Sequence, residues 1–205
     1  MFAANLLKMN SSTRRVAASI DPSQRQVVID NLLFIRDCVV ATEKLLEEGA
    51  DATLVLSPSS FHSALLQYFK KHLEEERGHL DWIERDLRAA GVQGRETCRY
   101  AMALVGTQYY LIKHVHPVAL LGYMAVVEGD PVSIDVVEAI ENEHGFEALT
   151  FLRAHAVTDL EHKKELERMI DSAPEALRPL IERSAENVLQ YLIQASNSWG
   201  ISARL

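Results

Sequence analysis

The sequence predicts a single all-α domain, a bundle of seven helices, and three observations carry that expectation. Glycine and proline punctuate the chain at intervals that leave long uninterrupted windows. Within those windows apolar residues recur every three or four positions, the period of a helix face, and alternating strand-like patterns are scarce. No long linker, low-complexity tract or solenoid period interrupts the series, so the helices are expected to share one core.

The elements follow from their caps. A first helix is expected after Asp21-Pro22, an acidic cap followed by a proline suited to a first turn, and runs to Gly49 through Val28, Leu32, Ile35, Val39 and Leu46. Ser57-Pro58 opens the second by the same logic, and it runs to Gly91. A third covers Thr97 to His114, and Pro117 opens a fourth that stops at Gly129-Asp130-Pro131. Ser133 to His144 form a short fifth, and beyond Gly145 a sixth continues to Ser172. Pro174 begins a seventh, interrupted or kinked by Pro179 and finished before Gly200. Residues 1–20, with Lys8, Arg14 and Arg15 and no acid, are expected to be a leader that packs loosely or forms a short helix, leaving 21–205 as the helical domain.

Composition excludes several classes. A chain of 205 residues that is 48% hydrophobic and 24% charged is neither a disordered tail nor a membrane bundle. No stretch approaches the roughly 20 apolar residues of a membrane span. Acids outnumber bases by 29 to 21, a field that repels phosphate backbones, so nucleic acid is not an expected partner. Cys38 and Cys98 are the only cysteines and form no CxxC pair; a reducing cytoplasm is the expected location.

Function is read from polar residues on apolar stripes, where an unpaired carboxylate or imidazole would cost several kcal/mol. The second predicted helix has the stripe Leu65, Phe69, Leu73, Glu76, Leu80, Ile83 and Leu87, with His79 three residues after Glu76 on the same face. Lys70, Lys71, Glu74, Glu75 and Arg77 are expected on the solvated sides. In the sixth helix the stripe reads Leu149, Leu152, His155, Asp159, His162, Leu166 and Met169, so three consecutive core positions are metal-ligand types. Glu43 lies between Val39 and Leu46, and Glu128 follows Leu121 and Met124. The candidate ligands are therefore Glu43, Glu76, His79, Glu128, His155, Asp159 and His162. Gathered in a dry interior, such carboxylates call for cations of charge two or more. Carboxylates and imidazoles without thiolates suit iron or manganese, and the number of ligands suits two metals rather than one.

Spacing alone is weak support. Chance places an acid three residues before a histidine about once in a chain of this composition, and there are three cases, Glu76/His79, Glu141/His144 and Asp159/His162. Position on the stripe separates them, since Glu141 and His144 end a short segment beside Gly145 and read as a solvated helix end.

Three motifs give the chain its resemblance to the heme-oxygenase-like diiron oxidases and oxygenases. They are Glu76-x-x-His79, Gly122-Tyr-Met-Ala-Val-Val-Glu128-Gly129 and His155-x-x-x-Asp159-x-x-His162, and the resemblance covers about residues 25–172. Glu43 looks like the family's first carboxylate. Some members carry a carboxylate seven residues before the second-helix histidine, where His72 stands here, so Glu76, His72 or both are ligand candidates, with a hydrogen-bonded core histidine as the other reading of His72. The resemblance implies a heme-oxygenase-like bundle, two ferrous ions per chain (manganese as the alternative), dioxygen as co-substrate and no heme. It further implies oxidation of a small amino-acid-like or fatty-acid-like metabolite, an electron donor and a homodimer; Leu189, Leu192, Ile193 and Trp199 could serve the dimer or cap the core.

Related activities fit less well. Heme oxygenase needs a proximal histidine on its first helix, and the first histidine here is His62. A thiaminase II-like enzyme needs a nucleophilic cysteine with a nearby base, which neither Cys38 nor Cys98 displays in sequence. A ferritin-like bundle would use Glu43, Glu76/His79 and Glu141/His144, leaving His155, Asp159 and His162 unexplained, and a metal-free binding protein would satisfy these groups by hydrogen bonds alone. Tyr109, Tyr110 and Tyr123 could line a pocket, and Lys113, His114, His116, Arg153 and Lys163 could hold a substrate carboxylate, although core packing and surface contacts account for the same residues.

Overall fold

A computed structural model of the protein describes residues 2–8, 23–94, 97–129 and 132–199, apart from the side chains of Asp159 and Leu160. Asp21-Pro22, Asp130-Pro131 and Gly200, invoked above as starts and stops, lie outside the described residues. The described residues form nine α-helices and no strand, a correction to the expected seven. One addition is α1, residues 2–8; residues 1 and 9–20 of the expected leader lie outside the described residues. α1 is docked, with Ala3, Leu6 and Leu7 buried and the Ala3 N–H donating to Asp171 Oδ1 at 2.9 Å.

The other addition comes from a break. α2 spans Arg25–Leu54, α3 Ser60–Glu76 and α4 His79–Ala89. A single helix from Ser57 to Gly91 is prevented by Gly78, whose φ of +90° lies in the left-handed region that favours glycine. α3 starts where the Ser59 hydroxyl accepts the His62 N–H at 3.0 Å, a side-chain cap for one of the orphan donors of the first turn. In α2 the expected stop at Gly49 does not occur. A Cβ there would meet Leu120 at 3.1 Å and the Phe69 ring at 3.2 Å, so Gly49 is a place of close helix approach rather than a terminator.

The chain continues through α5, Arg99–His114, a 3-10 turn at Pro117–Ala119, and α6, Leu120–Val127. α7 covers Ile134–His144 and ends on Gly145 at φ +62°, a left-handed C-cap. α8 is Thr150–Asp171, and after a second 3-10 turn α9 covers Arg178–Ser196. Pro179 occupies the first turn of α9, where its missing N–H is harmless, so it starts the helix instead of kinking it.

α2 packs against α3, α4 and α5, α6 lies on α9, and α8 touches α3, α4, α6 and α7. The buried apolar residues form two clusters. One holds Tyr68, Phe69, Tyr123, Met124 and Leu166; the other holds Leu32, Ile83, Leu149 and Phe151. The buried ligand-type residues lie at the junction, touching Tyr68 on one side and Phe151 on the other. No helix among the described residues is long and apolar enough to cross a membrane.

Candidate metal centre

Two trios of ligand-type side chains converge inside the bundle. In the first, Glu76 ends α3, His79 begins α4 and His155 comes from α8; their donor atoms lie within 4.8 Å of one another. The Glu-x-x-His motif therefore flanks the Gly78 break rather than stacking on one helix. His79 Nδ1 lies 3.0 Å from Glu76 Oε2, and the His79 and His155 rings are 4.8 Å apart. His155 stacks on Phe151 at 4.0 Å and donates Nδ1–H to the Phe151 carbonyl at 2.9 Å, which leaves Nε2 with its lone pair. Trp82, 4.8 Å from His79, covers the other side.

The second trio is His72 from α3, Glu128 from the C-cap of α6 and His162 from α8, again within 4.8 Å. His72 Nε2 lies 2.9 Å from Glu128 Oε1, and the His72 ring stacks against Tyr68 at 5.6 Å and meets the His162 ring edge-on at 5.0 Å. The two trios join through Glu76. Its Oε2 faces His79, while Oε1 lies 3.7 Å from His72 Nε2.

The electrostatics of the trios differ. Burial would lower the proton affinity of His72, but the adjoining Glu128 carboxylate, then Glu76 and Glu75, outweigh it and bring its pKa to about 9. For Glu76, burial alone would raise the carboxyl, and the His79 contact with the surrounding imidazoles holds it below its ordinary value instead. Burial holds His155 below the usual histidine range, so its imidazole is neutral at pH 7. Burial also pushes the Tyr68 phenol well above its usual range.

A metal fits these residues. The donors are oxygen and imidazole nitrogen without thiolate, a set that suits iron or manganese. Glu128 Oε2 is buried and makes no hydrogen bond among the described residues, although a buried carboxylate oxygen normally has a partner. A cation at the second trio would supply one.

Of the seven residues singled out in the sequence, five enter the trios: Glu76, His79, Glu128, His155 and His162. Glu43 is half-buried on α2 and belongs to neither trio. The side chain of Asp159 lies outside the described residues; its backbone is in α8 between His155 and His162. His72, left open between ligand and core histidine, faces Glu128 directly. Glu75 corrects the sequence reading, since its Oε2 is buried rather than solvated and lies near both histidines of the second trio. The signal available in sequence was its spacing three residues from His72.

Other candidates have contacts of their own. Glu141 is buried, not solvated; it accepts the Leu149 N–H at 2.7 Å and pairs with Arg153, which holds its carboxyl low. Lys113 pairs with Glu48 at 2.7 Å, and His116 Nδ1 accepts the Val118 N–H at 3.1 Å. Tyr123 is fully buried, its hydroxyl 2.8 Å from that of Thr42, whereas Tyr110 is exposed. Cys38 is buried, and desolvation pushes its thiol far above the range of a nucleophile.

The bundle is of the heme-oxygenase-like fold class, with two carboxylate–histidine groups that could hold metal at its centre, and comparison with known proteins supports that fold. A crystal structure of a domain of unknown function with a heme oxygenase-like fold, from Shewanella denitrificans OS217, superposes with a TM-score of 0.69 at 18% identity, covering 97% of this chain and 93% of that one. Among curated proteins none matches. A family model described as iron-containing redox enzyme matches residues 56–192, and the chain belongs to that family. The matched span contains both trios.

Proposed function

We propose that this protein is a non-heme diiron oxidase or oxygenase that uses dioxygen to oxidise a small metabolite of amino-acid-like or fatty-acid-like type. The observation that carries the reading is Glu76, a buried carboxylate with one oxygen toward each trio, as a group shared by two cations would be. Glu76, His79 and His155 would hold one ion, and His72, Glu128 and His162 the other, with Asp159 and Glu43 as further ligand candidates. Two ferrous ions bound there would supply the electrons that dioxygen chemistry needs, and manganese is the alternative metal. The chain's own part is orientation and exclusion of water. The Phe151 carbonyl fixes the His155 ring, and Phe151, Trp82 and Tyr68 shield the imidazoles.

Three observations weigh against the alternatives. Glu141 is engaged by Arg153 and the start of α8, which removes a ligand from the ferritin-like reading. Cys38 has a thiol held protonated by burial, against a thiaminase II-like nucleophile. α2 carries no histidine, so heme is not part of the proposal. A cytoplasmic homodimer with an external electron donor completes the reading.

The test is an anaerobic ferrous titration of metal-free protein followed by oxygen exposure while the visible spectrum is recorded, with His155→Ala as control. Two irons per chain and a transient coloured species, altered or lost in the variant, are expected. No iron uptake and no spectral change would overturn the proposal in favour of a metal-free hydrogen-bonded bundle.

A further inference from the structure

Glu75 divides its carboxylate between two environments. Oε1 faces the Lys71 ammonium at 3.4 Å, and Lys71 also pairs with Glu165 on α8. Oε2 turns inward, is buried and makes no hydrogen bond among the described residues, although it lies 3.4 Å from His72 Nδ1 and 3.7 Å from His162 Nε2. Glu74 beside it is exposed and paired with Arg77. An inward carboxylate oxygen without a donor carries a desolvation cost, and two imidazole nitrogens from the second trio lie close enough to offset it.

An imidazole that binds a metal uses one nitrogen and keeps its proton on the other, and that N–H usually donates to a carboxylate or a carbonyl. His155 follows this pattern in the first trio through the Phe151 carbonyl. In the second trio His72 directs Nε2 to Glu128 and Glu76, so Nδ1 is its outward nitrogen, and Nδ1 is the atom that faces Glu75. We infer that Glu75 is the positioning carboxylate of the second trio: closing the 3.4 and 3.7 Å separations to hydrogen-bond length lets Oε2 accept from His72 Nδ1–H and His162 Nε2–H and so fixes which nitrogen of each ring is left for a metal. One carboxylate oxygen has lone pairs for both donors. Lys71 holds the opposite oxygen and keeps the carboxylate turned inward. The inference rests on the two-metal reading above and assigns Glu75 no contact with metal or substrate.

The test uses full-length protein, metal-free and titrated anaerobically with ferrous iron, comparing wild type with Glu75→Ala and Glu75→Gln. Glu75→Ala is expected to weaken the second binding step by about 10- to 100-fold and leave the first within about twofold, the size of effect that loss of an outer carboxylate produces. Glu75→Gln keeps an acceptor oxygen and should recover part of that loss. Cobalt(II) loading supplies a spectroscopic readout, since misplaced imidazoles alter the visible bands of the second ion only. Metal-free Glu75→Gln should melt within about 2 °C of wild type. An unchanged second step in both variants, with wild type binding two ions, overturns the inference and leaves the two-metal reading intact. Abolition of the second step by Glu75→Gln, as removal of a direct ligand would produce, also overturns it, as does equal weakening of both steps with a lowered melting temperature. Wild type that binds no second ion overturns the two-metal reading itself.

Discussion

The two trios use the same residue types but are held differently. In the first, Glu76 is in contact with His79, His155 is pinned to the Phe151 carbonyl, and the rings pack on Trp82 and Phe151. In the second, Glu128 Oε2 and the neighbouring Glu75 Oε2 are buried and make no hydrogen bond among the described residues, and the surrounding carboxylates raise the His72 pKa to about 9. Burial in the first trio favours the neutral form of His155, while in the second the Glu128, Glu76 and Glu75 carboxylates favour the protonated form of His72. Metal entering the second trio must displace that proton, so two sites of similar composition should differ in strength, the first being the tighter.

Glu76 serves both trios, and its loss should erase the contrast. Glu76→Ala is expected to reduce bound iron from two per chain to none, measured by elemental analysis after desalting. Glu128→Ala should sharpen the contrast instead, removing the second ion and leaving the first, with one iron per chain by the same measurement.

The raised pKa of His72 predicts a pH effect confined to the metal-free protein. A group whose folded pKa lies at about 9, against an ordinary 6.5, stabilises the fold fully below pH 6.5 and loses that contribution as pH rises through 9. Metal-free protein should lose about 5 °C or more in Tm over this interval. Iron-loaded protein should lose much less, because the metal replaces the proton; thermal melts across the range, with and without chelator, check both.

Gly78 sets the angle between Glu76, which both trios share, and His79, which belongs to the first. Gly78→Ala forces a side chain to φ +90° and should cost about 1–2 kcal/mol by denaturant unfolding while weakening the first binding step more than the second. Lys71→Ala removes a half-exposed ion pair and should change stability by less than about 1 kcal/mol in the same assay.

The stripes on the second and sixth predicted helices single out Glu76, His79, His155 and His162, which the structure brings into the two trios, because a polar residue on an apolar stripe leaves a mark in the periodicity. Two features left no such mark. Gly78 sits in an apolar pattern that continues on both sides, and only its backbone angle reveals that Glu76 and His79 belong to different helices. The pairing of His72 with Glu128 joins residues 56 apart in sequence, and a long-range contact has no local period to betray it. Glu75 looked solvated for a related reason: it lies beside the stripe, with one oxygen on the surface and the other inside.

The claim that two unequal sites share Glu76 is tested most directly by calorimetric titration of metal-free protein with ferrous iron under anaerobic conditions, in wild type and Glu128→Ala. Two separate steps in wild type, with only the tighter one surviving in Glu128→Ala, are the result this account predicts. A single step of one ion per chain in wild type, or loss of the tighter step in Glu128→Ala, would contradict it.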